Sequence, residues 1–368
     1  MYSVSEFWNA LKRYDWLMIG VVLGITSIGL SVIYSIDLSR GKDTLIYFPT
    51  QAVSLFLGFC AILFFGALHV SSYRRLAQFS YWIALLLLVG VLIFGQSIRG
   101  TTGWFRFFGF SFQPVEFAKI ACILLLAWWM EKQGRRFDRF EFVASSGMAT
   151  ILLCGLILLQ PDLGSSAVIG GIWFLLLIVA GVKKRYVGGL LLLIGFAAIT
   201  SWFLFFEDYQ KDRVLNFLYP EKNPLGSGYN VSQSIIAIGA GQLMGRGLGF
   251  GSQSQLHFLP EAQTDFIVSV IGEELGFVGV SIILILYLLL LYRILVQARR
   301  SQDDFSAFLL FGAAILFFVQ ICVNIGAATG VLPVTGVTLP FLSYGGSSLI
   351  MNCALIGLLQ SVIRSQRK

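Results

Sequence analysis

The sequence predicts an all-α polytopic membrane protein. It has about ten transmembrane helices, cytoplasmic N and C termini, and a large extracytoplasmic loop between spans 7 and 8. Three observations lead there. Of 368 residues, 57% are hydrophobic and 12% charged, with a mean hydropathy of +0.81, more apolar surface than a soluble chain of this length can hide. Apolar runs of about 18 or more residues recur along the chain. Basic residues concentrate in alternate connections.

The spans are expected at about 15–36, 46–67, 78–97, 115–131, 143–159, 163–181, 186–206, 264–292, 305–328 and 343–363. The opening "MYSVSEFWNALKRYDW" lacks the pattern of a cleavable signal peptide, so the first span reads as an uncleaved helix. Alternate connections carry Lys12 and Arg13, Arg74 and Arg75, the Lys132–Arg139 cluster, Lys183–Arg185, Arg293–Arg300 and Arg364–Lys368. Together these hold 17 of the 26 Lys and Arg residues. The positive-inside rule puts that face in the cytoplasm. The net charge of +7 is thus a topology signal, and its scatter over short loops argues against a nucleic-acid partner.

Five cysteines lie inside apolar runs without a CxxC pair and read as small buried hydrophobes. His69 and His257 are far apart and lack metal-ligand spacing.

The opposite connections differ in kind. They include "SIRGTTGWFRFFGFSFQPVEFAK", "LLQPDLGSS", a long segment at about 207–263, and "ATGVLPVTGVTLPFLSYGGSS". Irregular backbone at membrane depth persists only when packed in protein or lining a wet cavity, so the functional site is expected on the outer face. The chain reads as one transmembrane domain, 1–368, with 207–263 as its loop subregion. Within it, "VSQSIIAIGAGQLMG" is too short to span and reads as a re-entrant or interfacial helix. "GRGLGFGSQSQ" reads as a glycine-rich loop able to rearrange as substrate enters.

Ionisable groups inside membrane helices are functional hypotheses by default. Asp265 stands at the outer start of span 8, with Ser269, Gly272 and Gly276 within about 40° on its face. Glu274 points the opposite way. Glu273 lies about 80° round and about 12 Å further along, so these acids do not form a close glycosidase pair. Asp265 is either a helix cap or first-turn acid, with Thr264 as the alternative cap, or a functional base. Glu116 and Lys119 are three apart, a natural ion pair that is either structural or a substrate contact. Asp162 either caps span 6 or faces the cavity, where a divalent cation is an alternative ligand. Cations around one carboxylate fit an anionic phosphate or diphosphate, a general base and a lipid-linked substrate.

The strings "QPVEFAK", "QPDLGS", "SQSIIAIGAGQLMGRGLGFGSQSQLHFLPEAQTDFIVSVIGEELGFVG" and "GVLPVTGVTLPFLSYGGSS" occur in this order between about 99 and 352. They resemble the SEDS family (shape, elongation, division and sporulation). The short length and lack of long terminal extensions resemble its RodA-type branch.

The resemblance implies a peptidoglycan glycosyltransferase in the cytoplasmic (inner) membrane. It polymerises lipid II at the outer face during cell elongation, by inverting transfer with undecaprenyl diphosphate leaving. The implied partners are lipid II, a class B penicillin-binding protein (the transpeptidase) and other elongation-complex membrane proteins. The family's essential aspartate maps onto Asp265. Its outer-cavity residues match Arg106, Glu116, Lys119 and Asp162, with Arg213 and Arg246 as further candidates for substrate binding. Glu273 and Glu274 are expected to pair with helices or backbone instead. A divalent cation, Mg2+ or Mn2+, fits the leaving group, and no organic cofactor is expected. Competing readings are a lipid-linked precursor flippase, a non-catalytic scaffold for a cell-wall transpeptidase, and an outer-face O-antigen ligase or polymerase.

Overall fold

The computed structural model describes residues 12–39, 45–98, 101–107, 110–134, 137, 139–204, 211, 215, 217 and 227–366. In chain order the helices are α1 (Trp16–Leu38), α2 (Tyr47–Ala67), α3 (Val70–Phe94), α4 (Pro114–Gln133), α5 (Phe140–Leu158), α6 (Leu163–Val179) and α7 (Lys184–Leu204). They continue as α8 (Ser227–Ala240), α9 (Ser252–Gln255), α10 (Ile267–Arg300), α11 (Asp304–Ala328) and α12 (Gly346–Gln366). Between α3 and α4 runs a small antiparallel sheet: β1 (Gln96–Ile98), β2 (Thr101–Phe107) and β3 (Phe110–Phe112).

Ten of these helices coincide with the ten expected spans, and eight are long and apolar enough by themselves to cross a membrane. The other two are α6, with 17 residues, and α4, with 20 residues and Glu116, Lys119, Glu131 and Lys132 in it. Both pack against α11. Protein, more than lipid, surrounds α4, whose buried run extends almost unbroken from Pro114 to Ala127. By contrast α7 buries no residue and presents its apolar side chains outward.

The basic end is stapled. Asp15 caps α1 by accepting from the Met18 amide (3.2 Å), takes Arg293 Nε from α10 (3.2 Å), and accepts at its carbonyl from Gln360 of α12 (3.3 Å). Arg364 donates to the carbonyls of Ala67 and Leu68, each at 2.9 Å, where α2 ends. A cation at a helix C-terminus complements the free carbonyls and the dipole. Arg74 of α3 joins Glu131 of α4 (3.1 Å) and Asp303 before α11 (2.6 Å). These contacts gather helix starts and ends at one level in the alternation the basic loops predicted. Where α2 crosses α12 the backbones meet: a β-carbon on Gly58 would lie 2.9 Å from Cys353 Sγ, and one on Gly357 2.9 Å from the Ile62 carbonyl. Small residues permit this approach, which lipid-embedded helices need in order to pack.

Two boundaries depart from the sequence reading. α3 begins at Val70 and carries Arg74 and Arg75 within it. α10 begins at Ile267 and is broken at Gly276 (φ +67°, ψ −165°), a backbone state for which glycine is favoured. Gly276 is therefore not in helical phase with the residues before it.

Candidate active site

Asp265 lies in a turn that precedes α10. Phe266 is the cap residue and makes no side-chain capping bond. The capping role considered for Asp265 or Thr264 is thus not what the structure shows. The turn is wound on one carbonyl: Glu261 O accepts from the amides of Thr264 (3.1 Å), Asp265 (3.2 Å) and Phe266 (3.4 Å). Phe266 and Ile267 anchor it in the core.

A second irregular segment, 333–345, is clamped against this turn. Asn324, on α11, donates from Nδ2 to the Asp265 carbonyl (3.2 Å) and to the Val337 carbonyl (2.9 Å). Ser343 Oγ donates to Thr264 O (2.7 Å), and the Tyr344 amide to Gln263 O (2.8 Å). Gln51, buried on α2, donates to Ser343 O and accepts from the Gly345 amide, both at 3.1 Å. The Asp265 carboxylate lies beside Gly336 (φ +75°), where a β-carbon would come within 3.9 Å of Oδ2. The general-base candidate is thus half-buried between two crossed loops whose backbones are fixed from α2 and α11.

Beneath it the interior is polar. Glu116 and Lys119 are 5% and 3% exposed and pair at 2.8 Å. Ile123 of α4 faces Gly312 of α11, which puts Glu116 level with Val319 and Gln320, about 6–8 Å along the axis from Asn324. Gln320 is wholly buried. Its two amide atoms, Asn324 Oδ1, Thr335 Oγ1 and Ser347 Oγ have no hydrogen-bond partner among the described residues. Buried polar atoms are almost always paired, so this group marks an interior suited to substrate atoms or water.

The other expected residues fall elsewhere. Asp162 caps α6, with one oxygen accepting from the Ser165 amide (2.9 Å) and the other from its hydroxyl (2.7 Å). Gly164, beside it, abuts the Thr335 backbone, so this cap touches the 333–345 segment. Arg106 is exposed on β2 opposite Ser111. Arg246 is exposed and bonded to Ser252 Oγ (2.8 Å) and Ala240 O (3.4 Å). It sits level with Glu273, about 12 Å along α10 from Asp265. Arg213 lies outside the described residues.

Glu273 and Glu274 are fully buried and structural. Glu273 accepts from the amides of Gln253 (2.8 Å) and Ser254 (3.1 Å), and Glu274 from Ser35 Oγ (2.7 Å) and Gln255 Nε2 (3.3 Å). The glycine-rich loop was expected to rearrange, yet its first part is bound to the break in α10. Arg246 and Gly247 amides donate to the carbonyls of Glu273 and Glu274, both at 2.9 Å. Phe277 and Val278 amides donate to Gln242 O (2.9 Å) and Leu243 O (3.1 Å). Gly245 and Gly276 permit that approach, for a β-carbon on Gly276 would lie 2.3 Å from Gly245 N.

Asn324, Gln51 and Gln320 were missed by a search for ionisable groups. Neutral amides inside apolar spans are the signal that would have found them.

A family profile described as "Cell cycle protein" (FtsW/RodA/SpoVE) matches residues 15–368. The chain belongs to the FtsW/RodA/SpoVE family. It is a multi-pass membrane protein, as its apolar helices require. It is 37% identical to the probable peptidoglycan glycosyltransferase FtsW of Geobacter metallireducens over 96% of this chain and 95% of that one. It is 36% identical to the peptidoglycan glycosyltransferase MrdB of Escherichia coli K12, over 97% and 95%. Among solved structures, it matches a chain of a peptidoglycan synthase complex that coordinates polymerization and crosslinking, with a TM-score of 0.82, 34% identity and 96% and 99% coverage. It also matches the rod shape determining protein RodA of Thermus thermophilus, with a TM-score of 0.73, 32% identity and 96% and 98% coverage.

Proposed function

We propose that this chain polymerises lipid II into glycan strands at the outer face of the cytoplasmic membrane, with Asp265 as general base. The chain is a peptidoglycan glycosyltransferase. The observation that carries the base assignment is the fixed position of Asp265, half-buried at the end of the bundle opposite the basic loops and set between two loops clamped by Asn324, Ser343 and Gln51. Positioning of this kind is what a catalytic base requires.

Asp265 takes the proton from the acceptor sugar's 4-hydroxyl. That oxygen forms a bond to the donor's anomeric carbon while the bond from that carbon to the diphosphate oxygen breaks. Undecaprenyl diphosphate departs with the bonding pair, and the configuration inverts. One carboxylate suffices, because no covalent sugar–enzyme intermediate forms. Lys119, buried beside Glu116 on α4, favours the anionic leaving group, and Arg106, exposed on β2 ahead of α4, adds positive charge at the rim. The carboxylate of Glu116 holds Lys119 in place.

Among the described residues no three His, Cys, Asp or Glu side chains are placed together to hold Mg2+ or Mn2+. The 227–240 helix reads as a re-entrant element: it runs beside the start of α10, with Ser234 Oγ 2.6 Å from Ser269 Oγ. The RodA-like fold supports a role in elongation. The match to a chain of a peptidoglycan synthase complex that coordinates polymerization and crosslinking supports a class B transpeptidase partner.

The test is glycan-strand formation from purified lipid II, with the chain co-purified with a transpeptidase-inactive class B partner. Parent and Asp265→Asn are compared after equal folding and complex formation are established. Polymer from the parent alone is expected. Equal polymer from both would remove Asp265 as base, and none from either would favour a flippase or scaffold.

A further inference from the structure

A polar cavity of about 190 Å3 includes Tyr47, Ser254, His257, Glu261 and Gln263 in its lining. We propose that this cavity is a saccharide subsite that holds the sugar ring next to the one reacting at Asp265. The assignment deepens the polymerase reading and rests on it.

Four observations carry it. The first is distance. Glu261 lines the cavity, and its carbonyl accepts from the Asp265 amide at 3.2 Å. This is one helical turn of backbone, so the α-carbons of cavity wall and base are about 6 Å apart, close to the length of one pyranose ring.

The second is chemistry. The lining brings a carboxylate, an imidazole and an amide beside a tyrosine ring, the mixture that pairs with sugar hydroxyls and N-acetyl groups while an apolar ring face packs. Thr264 Oγ1 (3.1 Å) and Gln263 Nε2 (3.5 Å) donate to one Glu261 oxygen and set that carboxylate in place. The tyrosine is held in place, because its ring meets that of Tyr344 at 4.8 Å between centroids. The Asp37 carboxylate also accepts from the Tyr47 and Phe48 amides at 2.8 and 2.7 Å, fixing the start of α2.

The third is backbone. His257 (φ +59°) and Glu261 (φ +55°) both occupy the left-handed region, where glycine or asparagine costs least. Two titratable side chains are kept at strained positions, and both line the same cavity. Strain of this kind collects at ligand sites.

The fourth is size. The cavity's volume of about 190 Å3 is on the scale of one sugar ring. The bound ring has two sources of identical chemistry, the incoming lipid-linked unit and the growing strand.

The experiment uses the co-purified complex, with initial rates against lipid II concentration and product lengths on gels. His257→Gly removes the imidazole while relieving its backbone, and His257→Asn retains a polar group. Glu261→Gln keeps the shape and removes the charge. His257→Gly is expected to raise KM or shorten strands by about five- to tenfold, the weight of one hydrogen bond, and by more than it lowers kcat, with His257→Asn in between. A raised KM with parent-length strands assigns the ring to the incoming unit. Shortened strands at parent KM assign it to the growing strand. Folded His257→Gly and Glu261→Gln with parent KM and parent lengths overturn the subsite.

A second readout needs no variant. Both histidines are exposed, and diacetylchitobiose should protect His257 of the parent, but not His69 at the start of α3, from carbethoxylation mapped by mass spectrometry. Equal labelling at saturating disaccharide also overturns the proposal. Asp265→Asn is run alongside: polymer from it removes the base assignment but leaves the His257 protection readable.

Discussion

Replacing Asn324 tests whether the clamp around Asp265 matters. The side chain is 2% exposed, and its Nδ2 serves two carbonyls, those of Asp265 at 3.2 Å and Val337 at 2.9 Å. Asn324→Ala removes both hydrogen bonds and strands two acceptors. At about 1 kcal/mol net per bond, and more where the acceptor stays dry, the expected loss is about 2–4 kcal/mol. Asn324→Asp keeps the shape but turns oxygens toward both carbonyls, so it should be the worse of the two. The rate should fall together with the stability. A base displaced by about 1 Å loses on the order of a hundredfold in rate, whereas substrate held elsewhere keeps its KM. The assays are thermal unfolding in detergent and polymerisation with the partner present. Asn324→Asp that melts with the parent and polymerises at the parent rate would refute the reasoning, because a clamp bonded through that nitrogen cannot survive the exchange.

Glu116→Gln leaves the Lys119 ammonium buried against a neutral amide, at a cost of about 1–3 kcal/mol. The double change with Lys119→Met should recover stability without recovering polymerisation, and recovery of both would make the pair purely structural. Gly276→Ala places a methyl 2.3 Å from Gly245 N at a φ of +67°. Backbone strain and overpacking together predict a loss of about 2–5 kcal/mol, read as a collapse in monodisperse yield, and a parent-like yield would remove the tight packing assigned to the break.

Much of this architecture is present in hydropathy and charge. The ten runs are long, and the basic clusters mark one face because moving them across a bilayer is costly. The Glu116–Lys119 pair is legible from its three-residue spacing, since that spacing puts both on one helix face. Asp265 is legible as a carboxylate at a span's outer edge. Its backbone setting is not, because the turn before α10 depends on Ser343 and Asn324, 78 and 59 residues further on. The glycines of 241–251 are ambiguous for a related reason. Glycine marks freedom and close approach equally, and only the partner strand of backbone decides between them. Asp162 shows the converse: its cap on Ser165 is local, three residues away, and is one of the readings the sequence offers for it.

The break at Gly276 also has a consequence for biogenesis. The carbonyls and amides that α10 leaves open there are closed by residues 242–247, a segment synthesised earlier. Until α10 arrives, that segment holds unpaired peptide groups against the bilayer, where such groups are costly. The helix in turn cannot complete its own bonding without the segment. The two pieces therefore mature as one unit during membrane insertion, and a nascent chain halted before about residue 278 would present the quality-control machinery with a half-built seam at the outer surface.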